Sequence, residues 1–377
     1  MKLLLVSLVA LVVGTRRVLA GSHVWQPPVS NERSNALARR YFVINDDPSE
    51  GDRMPWRNRQ IRYCFDKPDD KKALEGLLLA AHDLWLSQGL GSEFTLAEVG
   101  DDECKGEKRF DTLLVQSTGD SGRMATFEAL PQVDSVIRQS KNPDVRPKML
   151  LTTSTSMGML DQVKNVAHEL GHAWGLYHEH QNPAFWSRGT IHNALGGSVF
   201  GPENGGNWRC ENLKDYARRM AGGGLIVQNP GSRGYGDRIG MDMLCKDYEF
   251  ASKAQFSARD YLPMPRVMGV ATSAGTSAKD VDWDSIMIYP SGAGAIGDAS
   301  PGNDQRQPIL LKPDGSRIPI NGAPSQRDIA AMHKLYGRSK SARGKELLQK
   351  AGGTVTSNFK KLYSKSSGHG DDGSSCL

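Results

Sequence analysis

The stretch His168-Glu169-Leu170-Gly171-His172-Ala173-Trp174-Gly175-Leu176-Tyr177-His178 constrains this chain more than any other. His168 and His172 lie four residues apart, so a helix stacks both imidazoles on one face, within reach of a single metal ion. Glu169 is displaced from that pair by one residue and can face a water on the ion without becoming a ligand. Gly175 lets the chain leave the helix sharply, and His178 then arrives as a third nitrogen donor. Three protein ligands and an open position are the arrangement of catalytic zinc, whereas structural zinc sites are closed by four. The spacing predicts one Zn2+ per chain on His168, His172 and His178, with Glu169 as the catalytic base. The competing reading, a chance H-E-x-x-H on a core helix, leaves Gly175 and His178 unexplained.

This chemistry is expected outside the cell. Met1-Lys2 precede a mostly apolar run over 3–13, and Val18-Leu19-Ala20 supply the small residues of a cleavage site. That layout reads as a secretory signal peptide over 1–20, too short to span a bilayer, with Arg16 and Arg17 at an unusual position for charge. No other apolar stretch approaches membrane length, so stable membrane insertion is not expected. Five cysteines in an exported chain imply two disulfides and one left over. Proximity pairs Cys64 with Cys104 and Cys210 with Cys245, leaving Cys376, and the lack of any C-x-x-C spacing argues against cysteine-bound zinc. The net charge of +5 is misleading as a global property, because residues 1–40 and 338–377 carry +5 each and 41–337 carry −5. Nothing there points to nucleic acid, and 338–377 reads as a basic, disordered tail.

Residues 21–40 are polar and end in the dibasic Arg39-Arg40, a site for a processing protease. The alternation of Ile61, Tyr63 and Phe65 predicts a strand. Asp69-Asp70 are expected to cap a helix whose apolar face is Leu74, Leu77, Leu78, Ala81 and Trp85, ending near Gly89. Residues 112–116 and 149–152 predict further strands, and the motif helix is expected over about 160–174, with Val163, Val166, Ala167 and Leu170 toward a core. Strands and a helix ahead of the metal helix make an α+β fold the expectation. The long glycine-rich stretch between His178 and Asp284 predicts short helices, for example over 211–220, stapled by Cys210–Cys245. Apolar density falls after Gly337, where the folded domain is expected to end.

Asp284-Ser285-Ile286-Met287-Ile288-Tyr289 taken alone is an ordinary apolar hexapeptide. After an extended zinc motif it reads as a turn that places Met287 as an apolar floor under the imidazoles, with the Tyr289 phenol beside the metal. Together the two blocks resemble the astacin family of secreted zinc endopeptidases, within the metzincin clan, whose pattern is S-I-M-x-Y after H-E-x-x-H-x-x-G-x-x-H-E. His178-Glu179-His180 is similar to the family's H-E-H. Ser325-Gln326-Arg327-Asp328-Ile329 with Leu335-Tyr336 resembles its C-terminal helix, and Gly51-Asp52-Arg53-Met54-Pro55-Trp56 with Ile61-Arg62-Tyr63 resembles the start of its mature chain.

The resemblance spans 51 to 336, with dense matches in four short blocks. It implies a metzincin-type domain over 47–337: an upper half with a twisted sheet and two helices, and a mostly irregular lower half with a C-terminal helix. It implies a pro-segment over 21–46, and Glu179 holding the new N-terminus once an activating protease has acted. Tyr289 would be a resting-state metal ligand that swings out to hydrogen-bond the oxyanion, while Met287 stays structural. His180 and His192 read as histidines that are exposed or pack behind the ligands without binding the metal. The chain departs from the family where Gly337-Arg338 follow Tyr336 in place of a cysteine, and where Gln181-Asn182-Pro183-Ala184-Phe185-Trp186 replaces T-R-x-D-R-D. The expected activity is hydrolysis of internal peptide bonds in protein or peptide substrates by attack of zinc-bound water. The alternatives are another metzincin peptidase, an exopeptidase, and a secreted zinc-binding protein with a non-catalytic adhesion or binding role.

Overall fold

Ile61, Tyr63 and Phe65 fall on one face of strand β1, Gln60–Phe65, and are buried in the main core, while Cys64 points to the opposite face. The computed structural model describes residues 54–337 apart from 120–123, 128–129, 132–137, 141–145, 189–195, 202–205, 223–224, 228–236 and 265–276. The expected signal peptide, Arg39-Arg40, His192, the basic tail and Cys376 lie outside the described residues.

Helix α1, Pro68–Ser87, follows β1 and leads to β2, Thr95–Glu98, which pairs with β1 in parallel. A helical crossover is what a parallel pair requires. The cap expected at Asp69-Asp70 is displaced: Lys67 is the N-cap, Pro68 opens the helix, and the two aspartates fill its first turn. Proline suits that first position because it lacks an N–H that would be unpaired there, and the aspartates favour the positive end of the helix dipole. Of the expected apolar face, Leu74, Leu78, Ala81 and Trp85 are buried and Leu77 is half-buried.

After a short helix α2, Asp101–Lys105, come β3, Leu113–Ser117, β4, Ala125–Phe127, and β5, Lys148–Leu151. The sheet has five strands in the order β2-β1-β3-β5-β4, all parallel except β4, which runs antiparallel to β5 at the edge. The face of the sheet away from the core is covered locally by α2, whose Cys104 is disulfide-bonded to Cys64 beside Leu114 and Val99.

The first part of the histidine motif, His168 to Trp174, lies on α3, Gln162–Trp174. Asp161 caps it by accepting a hydrogen bond from the Lys164 amide at 3.0 Å, so Leu160, with φ +57°, stands outside the helix that its apolar character suggested. Val163, Val166, Ala167 and Leu170 face the shared core, and Trp85 Nε1 of α1 donates to the Ala167 carbonyl at 2.9 Å. Helices α1 and α3 are thus tied together against the sheet.

Beyond His178 the elements are short: α4 (Tyr216–Ala221), the β6–β7 pair (Leu225–Val227 and Asp237–Ile239), α5 (Met241–Leu244), α6 (Tyr248–Lys253) and the β8–β9 pair (Ala299–Ser300 and Asn303–Asp304). The helix expected over 211–220 is broken, because Leu213 is drawn into the core and bridges to Ala295. Cys210–Cys245 forms as expected and staples this stretch. The closing helix α7, Gln326–Leu335, carries the capping box Ser325/Asp328. The result is a mixed α/β fold with a mostly parallel sheet, compatible with the α+β expectation. Its two disulfides suit an extracellular protein, and no described helix is long and apolar enough to cross a membrane.

Candidate metal centre

Helix α3 delivers His168 and His172 on one face, and the chain then turns at Gly175, whose φ of +101° is the left-handed conformation glycine adopts freely. His178 Nε2 lies 3.1 Å from His168 Nε2 and 3.0 Å from His172 Nε2. These three histidines form a group that could hold a metal ion. His168 and His178 are buried, and His172 is largely buried.

The opposite ring nitrogens settle the protonation. His168 Nδ1 lies 2.7 Å from the Ile286 carbonyl and His172 Nδ1 lies 2.8 Å from the Leu176 carbonyl. A carbonyl only accepts, so both Nδ1 atoms carry the proton. His178 Nδ1 meets Gln181 Oε1 at 2.8 Å, while Gln181 Nε2 donates to the Arg259 and Leu262 carbonyls at 2.9 and 3.1 Å. Those two carbonyls fix the carboxamide, leaving its oxygen to accept from His178. In all three neutral rings, then, an unprotonated Nε2 faces the other two. Burial opposes relief by protonation, pushing His168 down to about 4 and His172 and His178 well below the ordinary histidine value. Three lone pairs facing one another cannot hydrogen-bond among themselves. Imidazole nitrogens set tetrahedrally at zinc–nitrogen distances would be about 3.3 Å apart, so one ion fits with only a slight outward shift.

Glu169 is fully buried next to this cluster. Thr126 of the edge strand β4 donates to its Oε2, and its Oε1 has no hydrogen-bond partner among the described residues. Burial pushes this carboxyl up to about 8, Thr126 opposing the shift. A polar buried atom with no partner is costly, and a water at the site would satisfy it.

Met287 lies under the centre of α3. A Cβ at Gly171 would overlap Met287 Sδ and come within 3.1 Å of Trp85 Cζ2, so the motif's second variable position admits only glycine without a shift. The Met287 turn is held from α7: Asp328 accepts from Ser285 Oγ at 2.6 Å, Ile286 N at 2.9 Å and Ser325 N at 2.8 Å. Asn321 Nδ2 adds bonds to the Trp283 and Ser285 carbonyls. The half-exposed Tyr289 ring packs 4.2 Å from the His178 ring and 5.6 Å from His168.

Glu179 is buried, not a surface carboxylate; it accepts from Asp282 N at 3.0 Å, and burial pushes it up to about 8. His180, one of the two histidines expected to be exposed or to pack behind the ligands, is fully buried. Its Nε2 donates to the Asp260 carbonyl, its Nδ1 accepts from Tyr289 N, and its ring stacks on His178. Sequence reasoning gave no role to Gly171, Thr126, Gln181 or Asn321. The Asp328 clamp had a readable signal in the capping-box spacing from Ser325.

The blocks that carried the resemblance also meet in space. Trp56 Nε1 donates to the Ala173 carbonyl at 2.8 Å and Tyr336 Oη to the Trp174 carbonyl at 3.0 Å, closing two carbonyls at the end of α3. Tyr336 Oη in turn accepts from Trp56 N. The chain matches no protein-family model and no curated protein.

Proposed function

We propose that the chain is a secreted zinc endopeptidase of astacin-like type, hydrolysing internal peptide bonds of proteins. The observation that carries this reading is the convergence of three unprotonated Nε2 atoms beside a buried carboxyl group, one oxygen of which has no partner among the described residues. Three imidazoles, with no further His, Cys, Asp or Glu grouped with them among the described residues, match a catalytic zinc set better than a structural one. The meeting of Trp56, Tyr336, Ser285 and Asp328 around α3 and the Met287 turn supports the family resemblance.

When bound on His168, His172 and His178, zinc supplies Lewis acidity, polarising a carbonyl and lowering the pKa of water toward neutrality. Glu169 takes the proton of the attacking water on Oε1 and delivers it to the departing amine. Thr126 holds the other oxygen and so orients the carboxylate. The Tyr289 phenol hydrogen-bonds the scissile carbonyl oxygen as charge builds on it. The apolar packing of Met287 and Trp85 keeps α3, and with it the two helix-borne histidines, in place.

The test is cleavage of a denatured protein by chain lacking residues 1–46, wild type beside Glu169→Ala, with zinc counted in both. We expect the variant to keep about one zinc and lose about 100- to 10,000-fold in rate, as for a removed general base. A zinc-loaded wild type that cleaves nothing points instead to a non-catalytic, zinc-binding secreted protein.

A further inference from the structure

His178 differs from the other two ligands in being held by a side chain, and that side chain ties it to a distant segment. Gln181 is fully buried and its carboxamide makes three bonds: one to His178 Nδ1 and two to the Arg259 and Leu262 carbonyls. The Gln181 main-chain carbonyl accepts from Met264 N at 3.1 Å, adding a third tie to the stretch that holds Arg259 and Leu262. That stretch is itself anchored. Asp215 Oδ2 accepts from Ser257 N at 3.0 Å and from Ser257 Oγ at 2.9 Å, Tyr261 Oη donates to the Ala293 carbonyl, and the Asp260 carbonyl receives His180 Nε2.

We propose that Gln181 is a positioning residue for the metal. It locks His178 as the Nδ1–H tautomer, aims Nε2 at the cluster, and transmits to it the rigidity of the 257–264 segment. The 257–264 segment thereby becomes a buttress of the third ligand and sets how long the ion is retained. Glutamine suits this task because one planar group both accepts from the imidazole and donates twice to the buttress. A partner that orients a ligating histidine commonly governs metal affinity by 10- to 100-fold.

The inference rests on the three histidines being a metal site, and the test separates the two. Wild-type chain is first loaded with Zn2+; failure to bind one ion per chain defeats the metal reading before any variant is made. Zn2+ loss to a chelator is then timed for wild type, Gln181→Met and Gln181→Glu, alongside thermal unfolding of the metal-free forms. The methionine variant removes every polar bond of the side chain and is expected to release Zn2+ about 10- to 100-fold faster. The glutamate variant keeps the acceptor for His178 but sets a carboxylate against two carbonyls. It is expected to unfold earlier and, having lost its ties to the Arg259 and Leu262 carbonyls, to release Zn2+ at a rate between those of the wild type and the methionine variant. Release from the methionine variant at the wild-type rate overturns the proposal, as does equal loss of retention in both variants. The wild type needs no substitution for a second readout. In its Zn2+-loaded form, nitrogen-edited NMR is expected to show His178 protonated at Nδ1, slow to exchange and close to the Gln181 amide protons. A ring protonated at Nε2 overturns the assignment even if neither variant folds.

Discussion

His168 and His172 are fixed differently from His178. The first two share one face of α3, and their outer nitrogens donate to main-chain carbonyls of Ile286 and Leu176, which no substitution at those positions removes. The third stands past the helix end and leans on a glutamine side chain held by residues far along the chain. A ligand pair on a helix needs only periodicity. A ligand on a loop needs the tertiary fold to be finished around it, and its placement is open to mutation at positions remote from the metal.

That contrast can be tested from its helix-borne side. Asp328→Ala removes the acceptor of three hydrogen bonds around Ser285, Ile286 and Ser325, at about 1 kcal/mol each, so denaturant unfolding should show a loss of about 3 kcal/mol. Because Ile286 also receives His168, zinc affinity should fall while the His178–Gln181 bond persists in NMR; unchanged stability would show that α7 does not frame the centre. Gly171→Ala is expected to cost about 2 kcal/mol, since its methyl must displace Met287 or Trp85 in a packed core. A Gly171→Ala chain as stable as wild type would mean that the Met287 contact is loose.

The smallest effect concerns acid. His82, on α1, is held below the ordinary histidine value by burial, partly offset by its Nε2 bond to the Phe94 carbonyl. A depressed histidine contributes stability that is complete above about pH 6.5 and is lost as the pH falls toward its folded value. His82→Gln keeps a donor for Phe94 but cannot titrate. The metal-free variant should match wild type at pH 8 and lose less stability below 6.5, by at most about 1.4 kcal/mol per pH unit. Parallel curves throughout would locate the acid sensitivity elsewhere, with the buried histidines of the metal cluster the next to replace.

The parts legible in the sequence are those governed by local periodicity. The spacing of His168 and His172, the turn at Gly175, the β1 alternation and both disulfides follow from neighbours on one element or from proximity along the chain. Gly171 was hidden because its need arises from Met287 and Trp85, which reach it from distant parts of the chain. Gln181 showed only as a departure from the family pattern; its partners at 259 and 262 are set by tertiary folding. The expected helix over 211–220 failed for the same reason, Leu213 being taken by the core. The burial of Glu179 and His180 likewise depends on the Asp282 and Asp260 backbones, which no local pattern foretells.

Trp56 and Tyr336, near opposite ends of the described chain, close the same end of α3 and bond to one another. During synthesis from the N-terminus, His178 emerges long before Tyr336 and Asp328 exist. The three histidines are therefore made early and fixed late: the nascent chain carries them all yet lacks the frame that holds them. The frame around the three histidines is complete only once synthesis has passed Tyr336.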